Sequence, residues 1–235
     1  MARGHCTWNT YSIFHTMPTH MASWILFALL LILPSPLCMR FVASAVTAPL
    51  SAMNPLTCSL FQSATCNSIL YQSNDLQKEE IAVYYSVNAT DIRNITNGSK
   101  QDYLVPVPCS CQNVNGTTAF FYDTVYTVKV GDTFVNVSSQ YYSGQAWPLG
   151  GEERTFIPDA EVPIHLLCGC VQDDAEVVVT YTVQQQDTLS EIGDNLSAQV
   201  SKIQSLNTNL AQNSTYIEAG WVLFVPMEKN GTSTP

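Results

Sequence analysis

Two tripeptides, Cys109-Ser110-Cys111 and Cys168-Gly169-Cys170, constrain this chain more than any other feature. Cysteines one residue apart rarely bond to each other, because the ring is too tight for ordinary disulfide geometry. Each tripeptide is therefore a double clamp that reaches two other places. Cys58 and Cys66 stand upstream of both. Six cysteines allow 15 pairings, and excluding a bond inside either tripeptide leaves 10. The intervals between these cysteines are expected to be small units lashed into one body. Units of that size bury too little apolar surface to be robust alone. Each crosslink adds about 2–4 kcal/mol by constraining the unfolded chain.

The paired-cysteine reading needs an oxidising compartment, and the start of the chain supplies one. Trp24 to Leu33 is an apolar run of signal-peptide length, too short to span a bilayer, and Ala43-Ser44-Ala45 offers a small-x-small cleavage site. Residues 1–45 therefore read as a signal peptide with an N-terminal extension, Met21 being a second candidate start. Cys6 and Cys38 leave with it, and residues 46–235 keep six cysteines. Eight sequons begin at Asn88, Asn94, Asn97, Asn115, Asn136, Asn195, Asn213 and Asn230, and mark an exported glycoprotein. After residue 45, seven Lys/Arg face 19 Asp/Glu, a net charge near −12. An acidic, glycan-rich surface argues against nucleic acid or an anionic membrane as partner.

Tyr126-Thr127-Val128-Lys129-Val130-Gly131-Asp132-Thr133-Phe134 is echoed 55 residues later by Tyr181-Thr182-Val183-Gln184-Gln185-Gln186-Asp187-Thr188-Leu189. In the later copy, Val179–Val183 reads as a strand. Thr188-Leu189-Ser190-Glu191 is a capping box, with Asp187 a competing cap. Leu189, Ile192 and Leu196 then share one helix face. Ser197 is expected to open a second helix with Val200, Ile203 and Leu206 inward, and Asn207–Asn213 reads as polar loop. Trp221–Val225 reads as a strand that Pro226 stops. The earlier copy repeats the opening with Phe134, Val137 and Tyr141, breaks at Pro148–Glu153, and closes with a strand at Val162–Leu167. A looser stretch precedes both. It carries a strand at Ser68–Tyr71, a helix at Glu79–Tyr85, and a second helix at Thr90–Ile95 with Ile92 and Ile95 inward. A strand at Tyr103–Val107 then ends at Pro108.

Tyr-Thr-Val-x-x-x-Asp-Thr, two helices, and Gly220-Trp221-Val222-Leu223-Phe224-Val225-Pro226 resemble the lysin motif (LysM). Three such units separated by Cys-x-Cys spacers resemble the ectodomain of plant LysM receptor-like kinases. The irregular first unit, the Ser143–Trp147 turn and the Gly220–Gly231 segment are most similar to its exopolysaccharide-receptor branch. The resemblance implies an α+β fold of three tandem LysM modules (βααβ, the first irregular) clamped by three disulfides. It places a lead-in at 46–65, modules at 66–108, 124–167 and 179–227, and a juxtamembrane-like tail at 228–235. It implies the pairs Cys58–Cys111, Cys66–Cys170 and Cys109–Cys168.

The resemblance also implies carbohydrate binding in a shallow groove between two loops. In the second module these are Val130-Gly131-Asp132-Thr133 and Ile157-Pro158-Asp159-Ala160. Gly131 lets the backbone approach a ligand closely. Asp132 has the competing role of helix cap. In the third module Gln186 takes the Gly131 position, and the Asn213 sequon beside Tyr216-Ile217-Glu218-Ala219 would crowd the groove. Recognition is therefore expected in the first two modules. The ligand is expected to be a microbial polysaccharide or oligosaccharide, sensed in symbiosis or immunity with a LysM co-receptor. The resemblance implies membrane contact only through a downstream helix, which this sequence does not include. The alternatives are a chitin or peptidoglycan oligosaccharide binder, anchored or a secreted decoy, and a secreted enzyme, which would turn labelled glycans over rather than retain them.

Nothing in the residues calls for catalysis, a cofactor or a metal. No kinase glycine-rich loop or catalytic-loop motif is present, although the full-length family carries a serine/threonine kinase. Cys109, Cys111, Cys168 and Cys170 lack the Cys-x-x-Cys spacing of zinc knuckles. His165, alone after residue 45, lies on a strand and reads as structural. Glu152-Glu153 and Asp173-Asp174 read as solvated loop charge rather than an acid/base pair. Trp147 and Trp221 are candidates for stacking on sugar, with Trp221 assigned to the core. In the pairs Tyr84-Tyr85 and Tyr141-Tyr142, one ring of each is expected to point inward.

Overall fold

In the computed structural model, residues 53–59, 65–97, 100–149, 156–208, 210 and 216–229 are described. Seven strands and four helices follow one another as β1 (Thr65–Gln72), α1 (Lys78–Tyr84), β2 (Arg93–Asn97), β3 (Lys100–Val114), β4 (Thr117–Thr127), α2 (Phe134–Tyr141), β5 (Glu161–Leu167), β6 (Glu176–Thr182), α3 (Leu189–Asn195), α4 (Val200–Leu206) and β7 (Val222–Glu228). The strands form one sheet in the order β5-β4-β3-β1-β6-β7, with β2 also paired to β3. The fold is thus mixed α+β. Three antiparallel pairs bracket the helices: β1 and β3 enclose α1, β4 and β5 enclose α2, and β6 and β7 enclose α3 and α4.

The junction between β1 and β6 is parallel and short, with Ile69 opposite Val179 and Leu70 opposite Thr180. Buried polar side chains reinforce it. Ser68 Oγ donates to the Val178 carbonyl at 2.9 Å, and Gln145 Nε2 donates to the Tyr71 and Thr180 carbonyls. Side chains alternate across a strand, so β1 serves two cores. Leu70 packs with Ile81, Tyr85, Val137, Tyr142 and Leu166 beneath α1 and α2. Ile69 and Tyr71 pack with Tyr181, Ile192, Ile203 and Leu223 beneath α3 and α4.

Three disulfides cross this frame: Cys58–Cys111, Cys66–Cys170 and Cys109–Cys168. Neither tripeptide closes on itself. Cys66 and Cys109 are register partners on β1 and β3, so two of the three staples start from adjacent strands and end at the loop after β5. Residues 53–59 run beside β4, where Thr57 bridges Ala119 and the Leu56 carbonyl accepts from Phe120 N–H at 3.0 Å.

Four local expectations are corrected. Thr90–Ile95 is not a helix: a 3-10 turn at Ala89–Asp91 leads into β2, which pairs along Leu104–Lys100 of β3. The spacing of Ile92 and Ile95 suits a helix face, but β3 offers a ladder and wins. Pro108 does not end its strand. Pro106 and Pro108 lie between the last β2 contact at Leu104 and the first β4 contact at Ser110, where β1 is the only neighbouring strand among the described residues. A missing N–H is tolerated there. Pro226 likewise sits within β7, at the sheet edge, opposite Val178. Ser197 opens no helix. It takes φ +49° between α3 and α4, and Gln199 precedes α4.

Asn207 is more than loop. It is 4% exposed, its amide nitrogen donates to the Ile203 and Phe224 carbonyls, and its Oδ1 accepts from Phe224 N–H at 2.9 Å. One side chain thus pairs with the backbone of edge strand β7. No helix among the described residues is long and apolar enough to cross a membrane.

Candidate carbohydrate-binding site

At the end of β4 the chain turns through Lys129–Asp132 and enters α2. Thr133, not Asp132, caps the helix: its side chain accepts from Asn136 N–H. Asp132 closes the preceding turn instead. Its Oδ2 accepts from the Tyr126 hydroxyl at 2.7 Å and from Lys129 N–H at 2.8 Å. This corrects the helix-cap reading of Asp132. The same geometry recurs 55 residues on. Thr188 forms the capping box with Glu191, while Asp187 Oδ2 accepts from the Tyr181 hydroxyl and from Gln184 N–H, both at 2.7 Å. The sequence repeat is therefore a repeat of a hydrogen-bonded loop.

Burial raises the Tyr126 hydroxyl pKa, and the bond to Asp132 raises it further, so Tyr126 stays a donor. Burial also raises the Asp187 carboxyl, against the two donors that pull it down.

The loop before β5 lies beside the first. Val128 N–H donates to the Ala160 carbonyl and Asp159 N–H to the Val128 carbonyl, each at 2.9 Å. Ile157–Ala160 is a tight turn, closed from Ala160 N–H to the Ile157 carbonyl, with Asp159 at φ +64°. Val130 is 87% exposed and Ile157 75%, so two aliphatic side chains stand in water on adjoining loops. Gly131 takes φ +90°, and a Cβ there would meet nothing within 4 Å. The backbone at Gly131 is open to an incoming group.

The later copy keeps the backbone links but not the surface. Val183 N–H donates to the Trp221 carbonyl and Gly220 N–H to the Val183 carbonyl, matching the links at Val128. The groove on this loop is polar, lined by Gln185, Gln186, Asp187 and Glu191, and flanked by two sequon asparagines, Asn97 and Asn195. Asn195 Nδ2 donates to Asn97 Oδ1 at 3.4 Å. Asn213 lies outside the described residues, as do Asn230 and Glu152-Glu153.

His165 Nδ1 lies 2.7 Å from Asp123, its register partner on β4. Trp147 is partly buried against Phe121, with ring centroids 6.2 Å apart. Trp221 is only partly buried, at the edge of the α3/α4 core and edge-on to Tyr216, and β7 begins one residue after it. Tyr85 and Tyr142 are fully buried, whereas Tyr84 and Tyr141 are partly buried and stack at 4.3 Å. A cluster of Tyr84, Tyr126, Tyr141 and Lys129 was not foreseen. It joins residues 45 apart in the chain, and the paired tyrosines were its only signal.

Two sheet-and-helix units, β4-α2-β5 and β6-α3-α4-β7, share one hydrogen-bonded loop after their first strand, in a frame crossed by three disulfides, and this defines the class. The LysM domain model matches residues 181–226. The chain is 26% identical over 181 residues to LysM domain receptor-like kinase 3 of Arabidopsis thaliana, covering 76% of this chain and 27% of that protein. It is 26% identical to Chitin elicitor receptor kinase 1 of the same plant, covering 64% of this chain and 25% of that one. It is 24% identical to LysM domain-containing GPI-anchored protein 3, also from Arabidopsis thaliana, covering 85% and 49%. The chain thus spans between a quarter and a half of the length of these relatives. In fold it is similar to the LYK3 ectodomain crystal structure, with TM-score 0.56 and 19% identity, covering 74% of this chain and 97% of that one. The chain carries a LysM domain and is homologous to the Arabidopsis LysM receptor-like kinases.

Proposed function

We propose that this chain is the extracellular carbohydrate-recognition part of a LysM receptor, taking a microbial exopolysaccharide in symbiosis or immunity signalling alongside a LysM co-receptor. The second module holds the sugar between Val130–Thr133 and Ile157–Ala160. One observation carries the reading: two hydrogen-bonded loops present exposed Val130 and Ile157 around an unobstructed backbone at Gly131. Backbone N–H and C=O groups match sugar hydroxyls and amides, and the aliphatic side chains cover C–H faces and methyl groups. The third loop is the poorer candidate, because glycans on Asn97 and Asn195 would stand over it.

A second reading, a chitin-type oligosaccharide as ligand, is favoured by the likeness to Chitin elicitor receptor kinase 1. A glycan array with the glycosylated chain separates the two. Gly131→Trp is expected to weaken the retained sugar by about tenfold or more, or roughly 1.4 kcal/mol. Undiminished affinity would remove the loops from the site.

A further inference from the structure

Lys129 is held in an unusual way for a lysine of an acidic protein. Its Nζ donates to the Tyr84 and Tyr141 hydroxyls at 3.3 and 3.4 Å and lies 5.0 Å from the Tyr141 ring centroid. Among the described residues it forms no ion pair, although acidic residues outnumber basic ones 19 to 9. The two acids nearby are engaged elsewhere: Glu80 Oε2 accepts from Gln77 N–H at 2.9 Å, and Asp132 Oδ2 accepts from the Tyr126 hydroxyl and the Lys129 backbone N–H. The bond to Tyr84 leads the effects that raise the ammonium pKa, so Lys129 is charged at any physiological pH.

Beside this cation runs a groove of about 330 Å³, lined by Glu80, Val83, Val125, Thr127, Lys129 and the tyrosines Tyr84 and Tyr126. Val83 is 73% exposed and Val125 57%. None of the eight residues of the two loops lines it. The groove therefore combines apolar walls, two phenols and a hydroxyl with one cation that pairs with no carboxylate, while the Glu80 carboxylate on its wall is engaged at the start of α1. The chain after residue 45, near −12, repels anions, so a local unpaired ammonium is the feature that admits one.

We propose that this groove is a separate subsite for an acidic sugar residue, its ring face resting on Val83 and Val125 and its carboxylate paired with Lys129. The inference rests on the carbohydrate-binding reading above and names the chemistry of the ligand. A neutral sugar would leave the cation unused, whereas a uronate matches both the apolar face and the charge.

Oligogalacturonate and chitotetraose, titrated separately into the glycosylated chain by calorimetry, test it. Oligogalacturonate is expected to bind and to weaken with added salt. Lys129→Met keeps the stem packed on the tyrosines and is expected to cost oligogalacturonate about tenfold or more in affinity. Lys129→Arg is expected to retain most of it. Unchanged melting temperatures and unchanged chitotetraose binding show that both variants fold. Full oligogalacturonate affinity in Lys129→Met overturns the subsite. Binding of chitotetraose alone also overturns it and leaves the carbohydrate reading standing. Binding of neither sugar overturns the subsite, and the glycan array decides the carbohydrate reading separately.

Discussion

The Tyr181 hydroxyl donates to Asp187 at 2.7 Å, closing the loop that leads into α3, and Tyr126 does the same to Asp132 at 2.7 Å ahead of α2. In each loop the carboxylate oxygen that accepts from tyrosine also accepts a backbone N–H three residues upstream. The loop shape is therefore set by one acid bonded at both ends of its own turn. Tyr181→Phe keeps the ring in the core and removes one donor to a charged acceptor. Such bonds contribute about 1.5–3 kcal/mol. Urea unfolding is expected to show a loss in that range with an unchanged m-value. A variant as stable as the parent would show that the tyrosine–aspartate bond does not hold the loop.

Asp187 also sets a pH dependence. Burial holds its carboxyl pKa above the ordinary 3.8. Just above 3.8 the folded chain keeps a proton that the unfolded chain has released. Stability from this group is therefore greatest below that value, falls as pH rises through the folded pKa, and is flat beyond it. Asp187→Asn preserves an oxygen for both donors, which converge on Oδ2. The difference in unfolding free energy, parent minus variant, is expected to decline with pH across that window and then level. A difference that rises with pH would mean that the donors outweigh burial.

The two loops share a left-handed residue, Gly131 at φ +90° and Gln186 at φ +73°. A residue with a Cβ loses about 1–2 kcal/mol in that region. Since a Cβ at Gly131 meets nothing within 4 Å, Gly131→Ala is expected to cost that backbone amount alone. Gln186→Gly relieves the same strain but adds roughly 0.5–1 kcal/mol of chain entropy, so it is expected to be neutral or slightly stabilising. Thermal melts of the two single variants check the pair. A loss at Gln186→Gly equal to that at Gly131→Ala would refute the backbone account.

Local chemistry made much of this fold readable. The Thr188/Glu191 capping box and the Leu189, Ile192, Leu196 face of α3 depend on neighbours a few residues away, and the helix forms there. What escaped depends on distant partners. Whether Pro108 or Pro226 ends a strand is decided by which side of that strand is unoccupied, a property of the assembled sheet. The aspartate roles turned on a shift of one residue, since Asp and Thr are both good caps and only the tyrosine six positions upstream distinguishes them. Of the proposed site, the Gly131 loop was legible through its repeat. The groove at Lys129 was not, because Tyr84 and Tyr141 meet only once α1 and α2 are packed.

The central residues of the two cysteine tripeptides are not interchangeable. A Cβ on Gly169 would lie 2.8 Å from Val178 Cγ1 and 3.1 Å from Leu56 Cδ2, whereas Ser110 sits in the β3 ladder. Gly169→Ala is expected to cost about 1–3 kcal/mol through overpacking between two disulfides. Val178→Ala in the same chain removes the obstructing methyl groups. The double variant is expected to lose less than the two single losses added together, a coupling that a denaturation cycle measures directly. Strict additivity would show that the Gly169 contact carries no strain.

Asn207 offers the sharpest test of how edge strand β7 is held. Its amide makes three buried hydrogen bonds, two of them to the backbone of Phe224, which is itself 2% exposed. Asn207→Ala leaves the Phe224 N–H and carbonyl facing α4 without these partners, in a place water reaches poorly. Each orphaned group costs about 1–3 kcal/mol, so a total near 3 kcal/mol is expected, large for a single residue in a loop. Asn207→Asp keeps the acceptor for Phe224 N–H but loses the donors, and is expected to fall at least as far, because its charge would be buried beside two carbonyls. Hydrogen exchange gives the local readout: the Phe224 amide is expected to lose protection in both variants before the amides of β1 do. Retained protection at Phe224 would mean that β7 is anchored by its ladder to β6 alone.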